Sequence, residues 1–180
     1  MRDMAIEYRT EPEYWEYLDG EVYPKVSPGQ RHAVVQTTLA SIVRAAAVGK
    51  GQVGTERDIW LRDHEKLTKF IPDVSFFSFD RLREMGGRDA EFPPCAPDVA
   101  AEVWSPGDNR AYLEKKISLY LSHGSLVVLD VDFLTRRIAV HDSDKIVELS
   151  EGDTFAHPLV PWLEFTVRDV FRDLDIPEKK

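Results

Sequence analysis

Ala96-Pro97-Asp98-Val99-Ala100-Ala101-Glu102-Val103-Trp104 is a short, almost wholly apolar run with one acid in its middle. Its length and the proline before it predict a buried strand over residues 98–104. Side chains alternate along a strand, so Asp98, Ala100, Glu102 and Trp104 share one face, and Val99, Ala101 and Val103 the other. Glu102 therefore stands mid-strand among apolar neighbours, where a carboxylate is costly unless it is paired or bound to metal. Asp98 says less, because acids at a strand's start are readily solvated.

A second run, Ile71-Pro72-Asp73-Val74-Ser75-Phe76, places an acid directly after a proline inside a strand predicted over residues 70–77. One such acid is most simply the partner of an arginine or a loop cap. Two of them in neighbouring core strands point instead to a site for a hard cation. Magnesium binds through one or two carboxylates and keeps several of its waters, so Asp73 and Glu102 are a sufficient protein contribution.

The helix predicted over residues 108–123 supplies a third member. Its apolar stripe runs through Leu113, Ile117, Tyr120 and Leu121. At about 3.6 residues per turn, Lys116 falls roughly 85° from the centre of that stripe and Lys115 roughly 175°. Lys116 can reach inward along the packed face, whereas Lys115 points to solvent. A lysine at a stripe's border is ordinarily a snorkelling surface residue, so the functional reading needs the two acids nearby.

Outward from these runs the pattern is that of one α+β domain spanning residues 1–180. A short strand is expected over residues 21–26, after the Asp19-Gly20 turn signal. A helix over residues 30–48 follows, with Val35, Leu39, Ile42, Val43 and Ala46 at helical spacing. Strands are predicted over 53–61 and 70–77, with the polar stretch 62–69 as the loop of a hairpin. A short helix over 80–85, strands over 126–131, 137–140 and 145–149, and an amphipathic tail over 162–174 complete the chain.

Composition sets the outer limits. The chain has 180 residues, 43% hydrophobic and 11% aromatic, which suits one globular core. No apolar run is long enough to span a bilayer, and the charged N-terminus lacks the apolar stretch of a signal peptide. Cys95, alone, cannot form an internal disulfide, which fits a reducing cytoplasm. It lies in FPPCAP with no base beside it in sequence and reads as a loop residue. The net charge of −9 counts against a long DNA-gripping surface, because phosphate neutralisation supplies much of such affinity. Any nucleic-acid contact must be local, metal-assisted, or concentrated by a dimer.

Six short motifs occur in order from about residue 17 to 171: LDGEVY with Glu21, SPGQRH with His32, IPDVSFF, APDVAAEVWSP, EKKISLYLSHG and WLEFTVRDVF. Together they resemble the Uma family, a bacterial group of restriction-endonuclease-like proteins in the PD-(D/E)XK nuclease superfamily. The resemblance implies a restriction-endonuclease-like fold, with a central mixed β-sheet flanked by helices and the site at one edge. It also implies that Asp73 and Glu102 hold a divalent metal, Mg²⁺ or Mn²⁺. The superfamily's lysine usually lies two residues after the glutamate, where this chain has Trp104. The resemblance moves the lysine to the following helix, in the slot before Ile117, which is Lys116. Glu21 matches a further acidic position and is expected as an outer catalytic member. His32 matches a recurring histidine, expected either to meet substrate or to serve packing and hydrogen bonding. The chain departs from its relatives at Ser105-Pro106-Gly107-Asp108, and in having Tyr112 where an aspartate precedes the lysine by four residues.

The expected reaction is hydrolysis of a phosphodiester bond in nucleic acid, with DNA foremost, by a metal-activated water. Lys116 would orient that water or offset charge on the phosphate. A homodimer is expected, from the resemblance and from the prevalence of symmetric dimers. Two other classes compete: a catalytically silent nuclease-fold binding or scaffold module, and, more weakly, a carboxylate-pair glycosidase.

Overall fold

Most of the apolar runs become strands, and the longest become one mixed sheet. In the computed structural model, residues 15–18, 20–25, 28–63, 66–86, 95–105, 107 and 109–176 are described, with backbone alone at 62, 63, 66 and 67. The elements run β1 (Trp15–Leu18), β2 (Glu21–Pro24), α1 (Gln30–Ala46), β3 (Gly51–Thr55), β4 (Ile59–Asp63), β5 (Lys66–Phe70), β6 (Val74–Ser78) and α2 (Phe79–Glu84). Then follow β7 (Val99–Trp104), α3 (Arg110–Ser122), β8 (Val127–Asp132), β9 (Arg137–His141), β10 (Ile146–Ser150), β11 (Thr154–Ala156), β12 (Glu164–Thr166) and α4 (Val167–Phe171).

The main sheet has the order β10-β9-β8-β7-β6-β3. Within it β7 and β8 are parallel, from Val99↔Val127 to Trp104↔Asp132, and the other neighbours are antiparallel. Parallel neighbours need a crossover, and α3 supplies it. Each face of the sheet is covered, which is why its central strands are apolar on both sides. On one face Val74, Phe76, Val99, Ala101, Val103 and Leu129 pack with Val35, Leu39 and Val43 of α1 and Val170 and Phe171 of α4. On the other, Ala100 and Val128 pack with Leu113, Ile117 and Tyr120 of α3 and with Ile59, Leu61 and Phe70 of a second sheet. That second sheet has the order β2-β1-β5-β4.

Several boundaries differ from the sequence expectation. The run over residues 53–61 is two strands: β3 pairs with β6 in the main sheet, and β4 pairs with β5 in the second. The run over 70–77 is likewise two strands, broken at Ile71-Pro72-Asp73. Proline cannot donate to a ladder, and the break lets the chain pass from one sheet to the other. Asp73 thus stands in the connection before β6, not inside a strand. The stretch 62–69, expected as a loop, is mostly paired: the β4–β5 ladder runs from Ile59↔Phe70 to Asp63↔Lys66, and residues 64 and 65 lie outside the description. Four-residue β1 carried no periodic signal.

Leu129 is fully buried at the centre of the main sheet, so Leu129→Ala should cost about 2–5 kcal/mol, the range for core leucine truncations. Urea unfolding of the variant and the wild type checks this, and a loss below about 1 kcal/mol would contradict so central a place.

Candidate active site

The site is built where the two sheets meet under α3. The helix buries Leu113, Lys116, Ile117 and Tyr120, a spacing that places all four on one face. Asn109 starts it, its side-chain oxygen accepting from the amides of Ala111 and Tyr112. Lys116 is therefore carried into the interior in a place an apolar side chain would ordinarily fill, and is 4% exposed. Its ammonium lies 2.8 Å from Glu102 Oε1 on β7 and 2.8 Å from Glu16 Oε1 on β1.

Both carboxylates are held further. Tyr120 donates its hydroxyl to Glu102 Oε1 at 2.6 Å. The Ile71 amide donates to Glu16 Oε1 at 2.7 Å, and the Tyr112 hydroxyl to Glu16 Oε2 at 2.5 Å. Glu16 faces inward because β1 alternates: Glu16 and Leu18 are buried, Trp15 and Tyr17 half-buried.

Asp73 stands beside this group. The amide of Val103, the residue after Glu102, donates to Asp73 Oδ2 at 2.7 Å. His32 Nε2 lies 3.1 Å from the same oxygen. Lys25 donates to Asp73 Oδ1 at 2.8 Å and to the Ile71 carbonyl at 2.6 Å. Gln36 donates to the Asp73 carbonyl at 3.0 Å. His32 and Gln36 belong to the buried stripe of α1 with Val35, Leu39 and Val43, so the polar end of that stripe is what meets Asp73.

The protonation states follow from these neighbours. Burial by itself would raise Asp73, but Lys25 and the His32 hydrogen bond outweigh it and hold the carboxyl well below its usual range. Glu16 is lowered too, with Lys116 and Lys25 overcoming burial. Glu102 goes the other way: burial, helped by the Asp73 charge, pushes it up to about 7 against the pull of Lys116. Lys116 is held charged, since Glu102 and Glu16 outweigh its desolvation.

The structure thus brings Asp73, Glu102, Lys116 and His32 into one polar cluster, and Lys115 is half-buried outside it. Glu21 stands exposed on β2, accepting from the Tyr23 hydroxyl at 2.6 Å. The acid that meets Lys116 is instead Glu16, in the same N-terminal segment. Sequence reasoning missed Glu16, Lys25, Tyr112 and Tyr120 as members. Neither Glu16 nor Lys25 carried a periodic signal, because β1 has four residues and Lys25 follows a strand of four. Tyr112 reaches Glu16. Pro106 and Asp108 of the departing turn lie outside the described residues.

Asp98 is explained by structure alone. It accepts from Arg81 Nε at 2.9 Å and from the Ser78 amide at 2.6 Å, while Arg81 also ties the Ala96 and Gly124 carbonyls. Burial pushes the Cys95 thiol up, away from the reactive thiolate. Trp104, two residues after Glu102, packs against the core on the α3 side of the sheet.

The family model Uma2, described as "putative restriction endonuclease", matches residues 3–168. The chain belongs to the Uma2 family. A crystal structure of "a putative nuclease belonging to DUF820" from Anabaena variabilis ATCC 29413 is 21% identical to this Uma2 chain, covering 88% of it and 89% of the other, with a TM-score of 0.78. That likeness establishes the fold: a mixed sheet with flanking helices. No curated protein matches the chain. Among the described residues no helix is long and apolar enough to cross a membrane.

Because Asp73 is depressed in the folded state, it adds stability above its unfolded value of about 4, lost as pH falls through the folded value. Asp73→Asn should be less stable than wild type at pH 7 by a few kcal/mol, on the order of 3 for breaking a buried pair. The gap should narrow as the pH drops below about 4. Urea unfolding of both proteins across a pH series measures it, and a gap that holds or widens in acid would contradict the assignment.

Proposed function

We propose that this Uma2 protein is a metal-dependent endonuclease that hydrolyses phosphodiester bonds of nucleic acid, DNA foremost. The observation that carries the reading is the buried Lys116 ammonium shared by Glu102 and Glu16, with Asp73 hydrogen-bonded to the backbone beside Glu102. Membership of a family described as restriction endonucleases supports it, since restriction-endonuclease-like nucleases generally use divalent metals.

The donor chemistry fits such an ion. Asp73 and Glu102 would hold Mg²⁺ or Mn²⁺, whose preference is for hard oxygen ligands, one or two of them carboxylates. Among the described residues no group of three or more His, Cys, Asp or Glu side chains is arranged to hold a metal ion, so the ion would rest on the Asp73 and Glu102 carboxylates and its own waters. When bound, the ion would supply an acidified water and a counter-charge for the phosphate. Tyr120 holds the Glu102 carboxylate in place, and Glu16 keeps Lys116 charged and directed. Lys116 offsets charge developing on the phosphate oxygens. His32 orients Asp73 from the far side, and its substrate role would be indirect. Glu16 takes the acidic role expected of Glu21, which stays a surface acid at the rim. Tyr23, its hydrogen-bond partner, packs its ring 4.3 Å from that of Tyr112.

One domain working as a homodimer in the cytoplasm completes the proposal. A second reading, a silent nuclease-fold binding module, draws on one observation. Asp73 and Glu102 are already paired with Lys25 and Lys116.

The test is nicking of supercoiled DNA with Mg²⁺ or Mn²⁺, with EDTA, and by Lys116→Ala. EDTA should abolish nicking, and the variant should lose about 10²-fold or more, the worth of a preorganised charge at the reacting centre. Equal activity in all three would sink the nuclease assignment. Absence of both nicking and carboxylate-dependent Mn²⁺ binding would favour the silent module.

A further inference from the structure

Lys25 holds two oxygens that a divalent ion would also want. Its ammonium sits 2.8 Å from Asp73 Oδ1 and 2.6 Å from the Ile71 carbonyl, a carboxylate and a peptide oxygen. These are the hard ligands Mg²⁺ and Mn²⁺ prefer. The other Asp73 oxygen already accepts from Val103 and His32, so Lys25 occupies the open side of the carboxylate.

The two lysines of the site are differently rooted. Lys116 rises from the packed face of α3, is 4% exposed, and is shared by two acids. Lys25 follows β2, the edge strand of the second sheet, whose residues are mostly exposed, and its side chain is 14% exposed. Moving Lys25 out to water disturbs no helix and no ladder, and a long flexible lysine stem permits it. Moving Lys116 would strand Glu16 and Glu102 in the interior.

We propose that Lys25 is a resident cation that competes with the divalent ion for Asp73, and so sets the metal affinity of the site. In the metal-free protein Lys25 neutralises Asp73, and on metal binding its ammonium withdraws toward solvent. The proposal rests on the reading of Asp73 and Glu102 as the ion-binding pair.

The experiment is Mn²⁺ titration of the full chain, with free Mn²⁺ followed by electron paramagnetic resonance. It compares wild type, Lys25→Gln, Lys25→Arg and the double variant Lys25→Gln/Asp73→Asn. Glutamine keeps a hydrogen-bond donor for Ile71 and Asp73 while removing the charge. Lys25→Gln should bind Mn²⁺ roughly tenfold tighter or more, the worth of releasing one charge-assisted hydrogen bond. Lys25→Arg should stay as weak as wild type, and the double variant should lose the gain. Equal or weaker binding by Lys25→Gln, with wild type still binding, overturns the competition and leaves the ion-binding pair standing. No binding by any variant overturns both. A measurement on wild type alone guards against a variant that fails to fold: the Lys25 ¹³Cε resonance should shift as Mg²⁺ saturates the protein. An unchanged resonance at saturation overturns the proposal.

Discussion

A lysine ammonium buried between two glutamates ties three parts of this fold together. Lys116 cannot sit under α3 as a free charge, because the interior penalises an unpaired ion by several kcal/mol. Glu102 on β7 and Glu16 on β1 supply the pairing, so one contact joins the helix, the central sheet and the second sheet. The same contact decides what the neighbours must be. Tyr120 and Tyr112 use their hydroxyls on the remaining carboxylate capacity, and the Ile71 amide completes Glu16. Buried polar groups of this kind are tolerable only when nearly all are satisfied, and in this cluster His32 Nδ1 is the buried side-chain atom left without a partner among the described residues.

The arrangement also resolves the tension between a net charge of −9 and a nuclease family. The basic residues that matter are spent inward, not displayed. Lys25 and Lys116 neutralise acids at the site, and Arg81 ties down Asp98. Under the proposed function, a phosphate would meet the local charge of this cluster and not the overall balance.

How far the site could be read from sequence depended on periodicity. Glu102 was legible because alternation in a six-residue apolar strand leaves a lone acid conspicuous, and its side chain is indeed buried. Lys116 was legible because helical spacing separates it from Lys115. Asp73 was found for a partly wrong reason: it was expected within a strand, yet it sits in the Pro72 break. Glu16 and Lys25 were not found. Each lies in a segment too short for periodicity to register, and each acquires its partner from across the chain, Asp73 being 48 residues from Lys25.

Sequence by itself determined the order of the main-sheet strands and of the two long helices, the apolar faces of β7 and α3, and the family, because these rest on local spacing and on short motifs in series. Tertiary structure alone decided how the strands divide among separate sheets, since strand pairing joins β1 to β5 and β3 to β6 without any trace in local pattern. It decided, too, that Glu16 and not Glu21 faces Lys116: the turn at Gly20 and the pairing of β2 with β1 leave one acid buried and the other exposed. Burial is a property of the packed whole, and it is burial that turns these ordinary acids and lysines into a site.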